Sequence, residues 1–257
     1  MTNKYRRARK KRKNWWPYLL SFFLLVVLGS GIGAYLAKPS LFSGLQFWKA
    51  KKTAVTTPSS SKKKKEKSDL PAVSTKDWQL ILVNRDNVKP ELNPQLTDVD
   101  AIKVDSRIVE PTRQFLEAAR KIAPEETLIS GYRSVAEQTE LYNERVAQLE
   151  ASGLSHEEAE KQVQTQVQVP GASEHQTGLA IDMSVEAGQS DELGLQLAAI
   201  APQYGFVLRY PDGKSNITGV NFENWHFRYV GVENAQYMAK HQLVLEEYIQ
   251  LLKKAGK

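Results

Sequence analysis

A polar turn runs directly into a strand in the stretch Ser173-Glu174-His175-Gln176-Thr177-Gly178-Leu179-Ala180-Ile181-Asp182. Between residues 178 and 184 apolar side chains recur at every second position, and this period of two predicts a short strand. Asp182 would point to one face of that strand, whereas His175 lies just before it, in the turn. The residues that would share the opposite, apolar face are Leu179, Ile181 and Met183.

A second stretch further along the chain reads Glu223-Asn224-Trp225-His226-Phe227-Arg228-Tyr229. Three aromatic residues alternate here with His226 and Arg228, so this stretch is also predicted to be a strand, from Trp225 to Val230. Glu223 stands three residues before His226, and a regular strand would place these two side chains on opposite faces. We therefore expect Glu223 in a loop or bulge at the start of the strand.

Together the two stretches offer three candidate metal ligands, namely His175, Asp182 and His226. Glu223 is a further carboxylate that need not bind the metal. Three protein ligands and an open position for water are typical of a catalytic zinc site. A carboxylate that does not bind the metal can then act as the base for that water. The alternative is that these are ordinary strand and turn residues, with Glu223 in a structural salt bridge. The residue types alone leave both interpretations open.

The spacing Ser-x-His-x6-Asp, followed by Glu-x-Trp-His, resembles the signature of the VanY-type zinc D,D- and L,D-carboxypeptidases. That family is related to the VanX-type dipeptidases and to the hedgehog zinc domain. Three phrases carry the resemblance, from Ser130 to Ser134, from Gly171 to His175 and from Trp225 to Tyr229. It covers residues 76–250 and implies an α+β peptidase domain that binds Zn²⁺ through the three ligands named above. Asn224 departs from the pattern, because proline is frequent there in relatives.

By the same resemblance, Glu223 would take a proton from the zinc-bound water and pass it to the leaving amine. A carboxypeptidase must also recognise a terminal carboxylate, and Arg133 is the candidate because a guanidinium can bind it through two parallel hydrogen bonds. Arg133 could instead stabilise the oxyanion of the tetrahedral intermediate, and the sequence leaves both roles open. The resemblance also places Gln138, Ser173 and Tyr210 in the substrate pocket.

The basic charge of the chain is confined to its first part. Eight Lys and Arg and no acidic residue lie between Met1 and Lys13, and nine lysines against two acidic residues lie between Lys38 and Asp69. From Leu70 onward there are 18 Lys and Arg against 27 Asp and Glu, a net charge of −9. A nucleic-acid-binding domain would carry the basic patch on its folded part, so we expect no nucleic-acid partner. The absence of cysteine excludes disulfides, thiolate metal sites and cysteine nucleophiles.

The N-terminal part predicts a membrane protein. Residues 1–14 form a basic tail, and residues 15–37 contain no charge and are long enough to span a bilayer as a helix. Positive charge before the span predicts a single-pass protein of the cell membrane, with its N-terminus in the cytoplasm and the rest on a Gram-positive surface. The alternative is a cleaved signal peptide. Residues 38–75 form a Lys/Ser/Thr-rich linker, and residues 76–257 form the zinc carboxypeptidase domain.

Alternating strands and helices within that domain predict one α+β fold with an antiparallel sheet and flanking helices. The two remaining histidines, His156 and His241, are expected on the surface. The other predicted strands are Trp78–Val83, Ala101–Val104, Thr127–Ser130 and Gly205–Tyr210, with a loop over residues 84–96. The predicted helices begin at Glu110, after a capping box at Ser134, and after a second capping box at Ser155 (ending near Val167), and two more cover Ser190–Tyr204 and Glu233–Lys253.

The expected function is a zinc carboxypeptidase that removes the C-terminal D-Ala from peptidoglycan stem peptides, acting as a monomer. The D,D and L,D specificities both remain open, because pocket shape decides between them. One alternative is a zinc endopeptidase that cuts wall cross-links, for which replacing Arg133 would matter little. The other is a non-catalytic wall-binding module, and the presence of all four metal-site residues counts against it.

Overall fold

The computed structural model describes residues 69–257, in which six strands alternate with α-helices. None of the helices in this range is long and apolar enough to cross a bilayer. The predicted basic tail, the predicted anchor and most of the predicted linker lie outside the described residues. The strands are β1 (Leu96–Val99), β2 (Ile102–Asp105), β3 (Thr127–Ser130), β4 (Ala180–Ser184), β5 (Phe206–Tyr210) and β6 (Glu223–Tyr229). The α-helices are α1 (Val109–Ile122), α2 (Val135–Ala151), α3 (His156–Val163), α4 (Asp191–Ile200), α5 (Ser215–Thr218), α6 (Val232–His241) and α7 (Leu245–Lys254).

Four strands form one antiparallel sheet in the order β3-β4-β6-β5, and β1 and β2 form a separate antiparallel pair. The α+β fold predicted from the sequence is therefore confirmed. The two stretches singled out above provide the central strands β4 and β6. In their ladder Asp182 lies opposite His226, and Ile181 lies opposite Phe227. Successive side chains alternate between faces, so the same ladder builds a polar face and an apolar face.

The apolar face of the sheet forms the main core together with α1 and α4. Phe115 of α1 stacks on Phe206 and meets Phe227 edge-on, with ring centroids 5.3 and 5.1 Å apart. Removing this apolar surface from water stabilises the fold and commits the opposite face of β4 and β6 to the functional site. The predicted apolar residues of β4 all lie in this core: Leu179, Ile181 and Met183.

A second apolar cluster joins the first described residues to the C-terminal helices α6 and α7. Leu80 is buried there against residues such as Val230 and Tyr248. Leu70 and Val73, which precede the predicted start of the domain at residue 76, also pack against this cluster. The segment before β1 is thus part of the folded unit.

The predicted strand Trp78–Val83 is wrong. Residues Trp78–Leu80 form a 3₁₀ turn, and no strand pairs with the segment that follows within the described residues. The reason is the guanidinium of Arg228, which donates hydrogen bonds to the carbonyl oxygens of Gln79 (3.0 Å) and Ile81 (2.8 Å). A side chain therefore takes the backbone acceptors that a neighbouring strand would have used.

The predicted helix Glu233–Lys253 is two helices. The chain breaks at Gln242, whose φ of 54° lies in the left-handed region and ends α6. Leu243 then packs into the second apolar cluster, and the side chain of Glu247 accepts a hydrogen bond from the amide of Val244 to start α7. Burial of Leu243 and Leu245 outweighs the cost of interrupting the helix.

Two smaller predictions also need correction. The loop predicted over residues 84–96 continues into β1, which pairs with β2. The helix after Ser155 ends at Val163 rather than near Val167. It stops because the Gln164 carbonyl accepts a hydrogen bond from the Arg85 guanidinium and is drawn into a turn. Both predicted capping boxes are present, and the two surface histidines are exposed.

Candidate metal centre

His175 projects from a single 3₁₀ turn, Glu174–Thr177, that lies directly before β4. The hydroxyl of Ser173 accepts a hydrogen bond from the His175 amide (3.4 Å) and caps the turn. Gly178 ends it with a φ of 68°, and a β-carbon there would lie 2.8 Å from the amide nitrogen of Asp105. Glycine alone tolerates both this conformation and this close approach. The turn therefore delivers His175 to the start of β4 in a fixed orientation.

The three predicted ligands converge. The Nδ1 atom of His226 lies 3.2 Å from Oδ1 of Asp182, and the Nε2 atom of His175 lies 3.4 Å from Oδ2 of the same carboxylate. One ligand atom from each of the three residues lies within 4.8 Å of the other two. The rings of the two histidines meet edge-on at 4.9 Å. This triangle is a candidate metal centre.

The donor set and its unpaired atoms fit a zinc ion. Two imidazole nitrogens and one carboxylate are ligands that catalytic zinc sites use, with water in the fourth position. His175 and His226 are each 5% exposed, and the side chain of Asp182 is 15% exposed. The buried Oδ1 atom of Asp182 faces Nδ1 of His226 at 3.2 Å and makes no other polar contact in the described part of the chain. A cation bound between this oxygen and the ring nitrogen would accept a lone pair from each of them.

The tautomer of His175 is fixed by the backbone. Its Nδ1 atom lies 2.7 Å from the carbonyl oxygen of Gly131, which can only accept a hydrogen bond. Nδ1 therefore carries the proton, and the lone pair of Nε2 faces Asp182. Such a hydrogen bond from the far nitrogen of a metal-binding histidine is the usual way to orient the ring.

Glu223 reaches the same face because the pairing of β5 and β6 is irregular. Leu208 lies opposite Phe227, but Tyr210 lies opposite Glu223, so the ladder shifts between these two pairs. This irregularity at the start of β6 confirms the predicted bulge. An oxygen of the buried Glu223 carboxylate lies 3.7 Å from Nδ1 of His226. A spare carboxylate therefore stands beside the three ligands, where a base is needed.

Burial shifts the protonation of the site. It raises the pKa of the Glu223 carboxyl to about 8, with a further increase from Asp182 and an opposing effect of His226. It lowers the pKa of His175 to about 3. Burial also acts to lower the pKa of His226, but the carboxylates of Asp182 and Glu174 outweigh it and raise that pKa to about 9. In the metal-free centre, His226 is therefore a doubly protonated imidazolium at neutral pH.

Arg133 lies in the loop after β3, and hydrogen bonds hold both its backbone amide and its guanidinium group. Its amide donates a hydrogen bond to the carbonyl of His175 (3.2 Å), which ties the loop to the ligand turn. Its terminal nitrogens donate to Oε1 of Gln138 (2.8 Å) and Oγ of Ser130 (2.9 Å). Burial lowers the pKa of Arg133, whereas the negative charge of Asp182 acts in the opposite direction. Each terminal nitrogen keeps a second N–H for a substrate anion.

The three residues expected in the substrate pocket have different surroundings. The buried Gln138 is engaged on both sides, because its Nε2 donates to the carbonyl of Gln168 (2.6 Å) while its Oε1 accepts from Arg133. Tyr210 is buried, and its ring centroid lies 4.9 Å from that of His226. Ser173 caps the ligand turn. Gln138 therefore orients Arg133, and Tyr210 borders the metal centre.

A group of buried charges that was not predicted from the sequence lies behind the metal centre. Glu174, Arg209, Arg228 and Glu246 are at most 8% exposed and contact one another. One signal in the sequence pointed to this group. Arg228 stands two residues after His226 in β6 and must therefore share its face. Its buried partners come from distant parts of the chain and could not be inferred from spacing.

Comparison with known sequences identifies relatives of this chain. The family model described as VanY, D-alanyl-D-alanine carboxypeptidase, matches residues 101–232. A D-alanyl-D-alanine carboxypeptidase of Enterococcus faecalis is 38% identical over 177 residues, which cover 67% of this chain and 66% of the relative. The bifunctional D-Ala-D-Ala dipeptidase and carboxypeptidase VanXYC of Enterococcus gallinarum is 40% identical over 131 residues, 47% of this chain and 64% of the relative. The chain thus matches about two thirds of the length of these relatives.

Solved structures support the same relationship. A vancomycin-resistance D,D-pentapeptidase VanY mutant in complex with Zn(II) is 38% identical with a TM-score of 0.63, covering 67% of this chain and 99% of that one. The LdcB LD-carboxypeptidase is 30% identical with a TM-score of 0.56, covering 66% and 84%. The resemblance inferred from the motifs is confirmed over more than half of the sequence. The chain therefore belongs to the VanY family of D-alanyl-D-alanine carboxypeptidases.

Proposed function

We propose that this protein is a zinc-dependent carboxypeptidase that removes the C-terminal D-Ala from peptidoglycan stem peptides. The observation that carries the proposal is the triangle of His175, Asp182 and His226 with Glu223 beside it and Arg133 nearby. The relatives named above support it, because they are D-alanyl-D-alanine carboxypeptidases or, for LdcB, an LD-carboxypeptidase.

The chemistry follows from the side chains of the site. When bound by the three ligands, Zn²⁺ lowers the pKa of a water molecule and polarises the scissile carbonyl. Glu223 accepts a proton from the attacking water on a carboxylate oxygen and returns it to the nitrogen of the leaving D-Ala as the C–N bond breaks. Burial raises the pKa of Glu223 above that of an ordinary carboxyl group in the metal-free site, which favours the protonated form that the second transfer requires.

Arg133 supplies recognition of the chain end. Gln138 and Ser130 hold its two terminal nitrogens, so the plane of the guanidinium is fixed before substrate arrives. A fixed guanidinium can bind a carboxylate through two parallel hydrogen bonds, which a flexible ammonium cannot match. We assign this residue to the terminal carboxylate of the stem peptide.

Synthetic stem peptides test the proposal. Residues 67–257 form a compact unit, so a fragment with these bounds can be incubated with zinc and with stem pentapeptides or tetrapeptides. We expect the loss of one alanine, measured by product mass. A chelator and the isosteric Glu223→Gln variant should each abolish it. The peptide that is cut distinguishes D,D from L,D specificity.

Two results would contradict this function. Cleavage of cross-linked dimers without loss of a terminal alanine would assign the protein to the endopeptidases. Bound zinc and bound peptide without turnover would make it a wall-binding module. Retention of full activity by Glu223→Gln would remove Glu223 from the mechanism.

We also propose that residues 15–37 anchor the protein in the cell membrane as a single pass, with the residues between position 38 and the start of the compact unit at Lys67 as a linker and the catalytic domain outside. The uncharged span and the eight basic residues before it support this orientation. The chain has no cysteine, so Thr2→Cys and Ser59→Cys each introduce a unique label site. On intact cells a membrane-impermeant maleimide should label position 59 alone. A released, shortened protein would instead indicate a cleaved signal peptide.

A further inference from the structure

The buried charges behind the metal centre form one network of two acids and two arginines. The Nε atom of Arg209 and a terminal nitrogen of Arg228 each lie 2.8 Å from Oε1 of Glu174. The two terminal nitrogens of Arg209 lie 2.9 and 2.6 Å from the two oxygens of Glu246. The charges balance, so the network satisfies the requirement that buried charges be paired.

One oxygen of this network has no partner within it. Both arginines donate to Oε1 of Glu174, and its Oε2 has no hydrogen-bond partner among the residues 69–257. That atom lies 3.7 Å from Nε2 of His226, which is also buried and without a hydrogen-bond partner in the same range. A movement of less than about 1 Å would bring the pair within hydrogen-bond distance. Two buried polar atoms thus face each other with nothing else to bond.

The direction of this carboxylate is fixed by its surroundings. The two guanidinium groups hold Oε1, and the Glu174 carbonyl accepts a hydrogen bond from the hydroxyl of Thr177 (2.5 Å) inside the ligand turn. With Oε1 held in this way, Oε2 faces Nε2 of His226. An acceptor at Nε2 places the ring proton on that nitrogen and leaves the lone pair on Nδ1, which faces Asp182.

We infer that Glu174 is a positioning residue that accepts the Nε2 proton of His226 and so keeps Nδ1 available for the metal. This inference rests on the proposed metal site. The two histidine ligands would then use opposite nitrogens, Nε2 in His175 and Nδ1 in His226. A carboxylate behind a metal-binding histidine orients the ring and makes it a stronger ligand.

Glu246 offers a matched control for a purely structural role. It pairs with Arg209 through both oxygens and also accepts a hydrogen bond from Asn84 (2.9 Å), but no hydrogen bond or ion pair joins it to the metal ligands. Loss of its charge disturbs the same buried network without touching His226. Glu174→Gln, by contrast, would keep a carbonyl oxygen towards the two arginines and turn its NH₂ group towards Nε2. That donor would force the His226 proton onto Nδ1, where the metal must bind.

The test measures zinc affinity by competition with a chromogenic chelator, on the full chain in detergent. Relative to the unmodified chain, we expect Glu174→Gln to weaken zinc binding about 10–100-fold. Glu246→Gln should change zinc affinity less than about threefold while lowering the unfolding temperature. Equal zinc affinity in Glu174→Gln and the unmodified chain, or an equal loss in Glu246→Gln, would overturn the inference.

A second measurement needs no variant and decides the matter if Glu174→Gln does not fold. The chain contains four histidines, so ¹⁵N-histidine labelling gives few signals in long-range ¹H–¹⁵N spectra. In the zinc-loaded protein we expect a proton on Nε2 of His226 and on Nδ1 of His175. A proton on Nδ1 of His226 would refute the role of Glu174. An unmodified chain that binds no zinc would instead overturn the proposed function and this inference with it.

Discussion

Asp182 and His226 are direct partners in the ladder between β4 and β6, and Oδ1 of the first lies 3.2 Å from Nδ1 of the second. Two of the three candidate ligands are thus positioned by backbone hydrogen bonds of central strands rather than by a loop. The third, His175, is tied to the same strand by the turn that ends at Gly178. Sites supported by regular strands hold their geometry with little conformational freedom.

The first prediction concerns the pH dependence of zinc binding. The raised pKa of His226, about 9, means that metal-free protein is protonated there at neutral pH, whereas His175 is neutral. Zinc must displace that proton, so its apparent affinity should rise with pH, by about tenfold per unit up to about pH 9. Chelator competition at pH 6, 7 and 8 measures this slope. A zinc affinity that does not change over this range would show that His226 binds zinc without releasing a proton.

The second prediction concerns Arg133. Arg133→Lys keeps the charge but loses the two-pronged geometry and the hydrogen bonds to Gln138 and Ser130. We expect kcat/KM for a free stem peptide to fall by about 10–100-fold, mostly through KM. A stem peptide with an amidated C-terminus serves as the control, since it lacks the carboxylate. An equal loss on both peptides, confined to kcat, would assign Arg133 to the oxyanion instead.

The third prediction concerns the close approach of α4 to the start of β6. A β-carbon at Gly194 would lie 2.5 Å from Cβ of Asn224. The Asn224 amide donates to the Gln189 carbonyl (3.1 Å) and to Asp191 (2.7 Å), so it cannot easily move away. Although alanine favours helices, Gly194→Ala should lower the free energy of unfolding by about 1–3 kcal/mol.

Urea unfolding checks the Gly194 prediction, with Gln196→Ala at an exposed position of the same helix as the control. The control should change stability by a few tenths of a kcal/mol, because an exposed side chain contributes little packing. If Gly194→Ala were as stable as the control, the contact between Gly194 and Asn224 would be looser than the structure indicates.

The fourth prediction concerns a buried acid at the start of β3. Neither carboxylate oxygen of Glu126 has a hydrogen-bond partner among the described residues, and burial raises its pKa to about 7. Between about pH 4.5 and 7 the folded state therefore holds a proton that the unfolded state has released. The free energy of unfolding should fall over this range by about 2–3 kcal/mol from this residue.

Glu126→Gln removes that dependence, because an amide does not ionise. The variant should match the unmodified protein near pH 4.5 and exceed its free energy of unfolding at pH 8, as measured by urea titration. Glu125→Gln, at the exposed neighbouring position, is the control and should have little effect. A Glu126→Gln variant that is no more stable at pH 8 would mean that the carboxylate is solvated in the folded state.

Local pattern was enough to predict the central strands and which of their side chains share a face, whereas the resemblance to the VanY-type carboxypeptidases implied that the polar side chains meet at a metal. The period of two in β4 and β6 is imposed by strand geometry, so it predicts faces without knowledge of the fold. Capping boxes at Ser134 and Ser155 are equally local, because each side chain bonds backbone three residues away. The predicted bulge at Glu223 followed from requiring Glu223 and His226 on one face.

The sequence by itself determined the strand faces and the helix starts, because these depend on neighbours a few positions apart, and its motifs implied the residues of the metal centre through their resemblance to a known family. The tertiary structure alone decided the conformation of residues 78–83, where Arg228 takes the carbonyl oxygens of Gln79 and Ile81. It also decided the partners of Glu174, which come from β5 and β6. Hydrogen bonds between residues far apart in sequence leave no periodicity to detect, and they exist only once the sheet has formed.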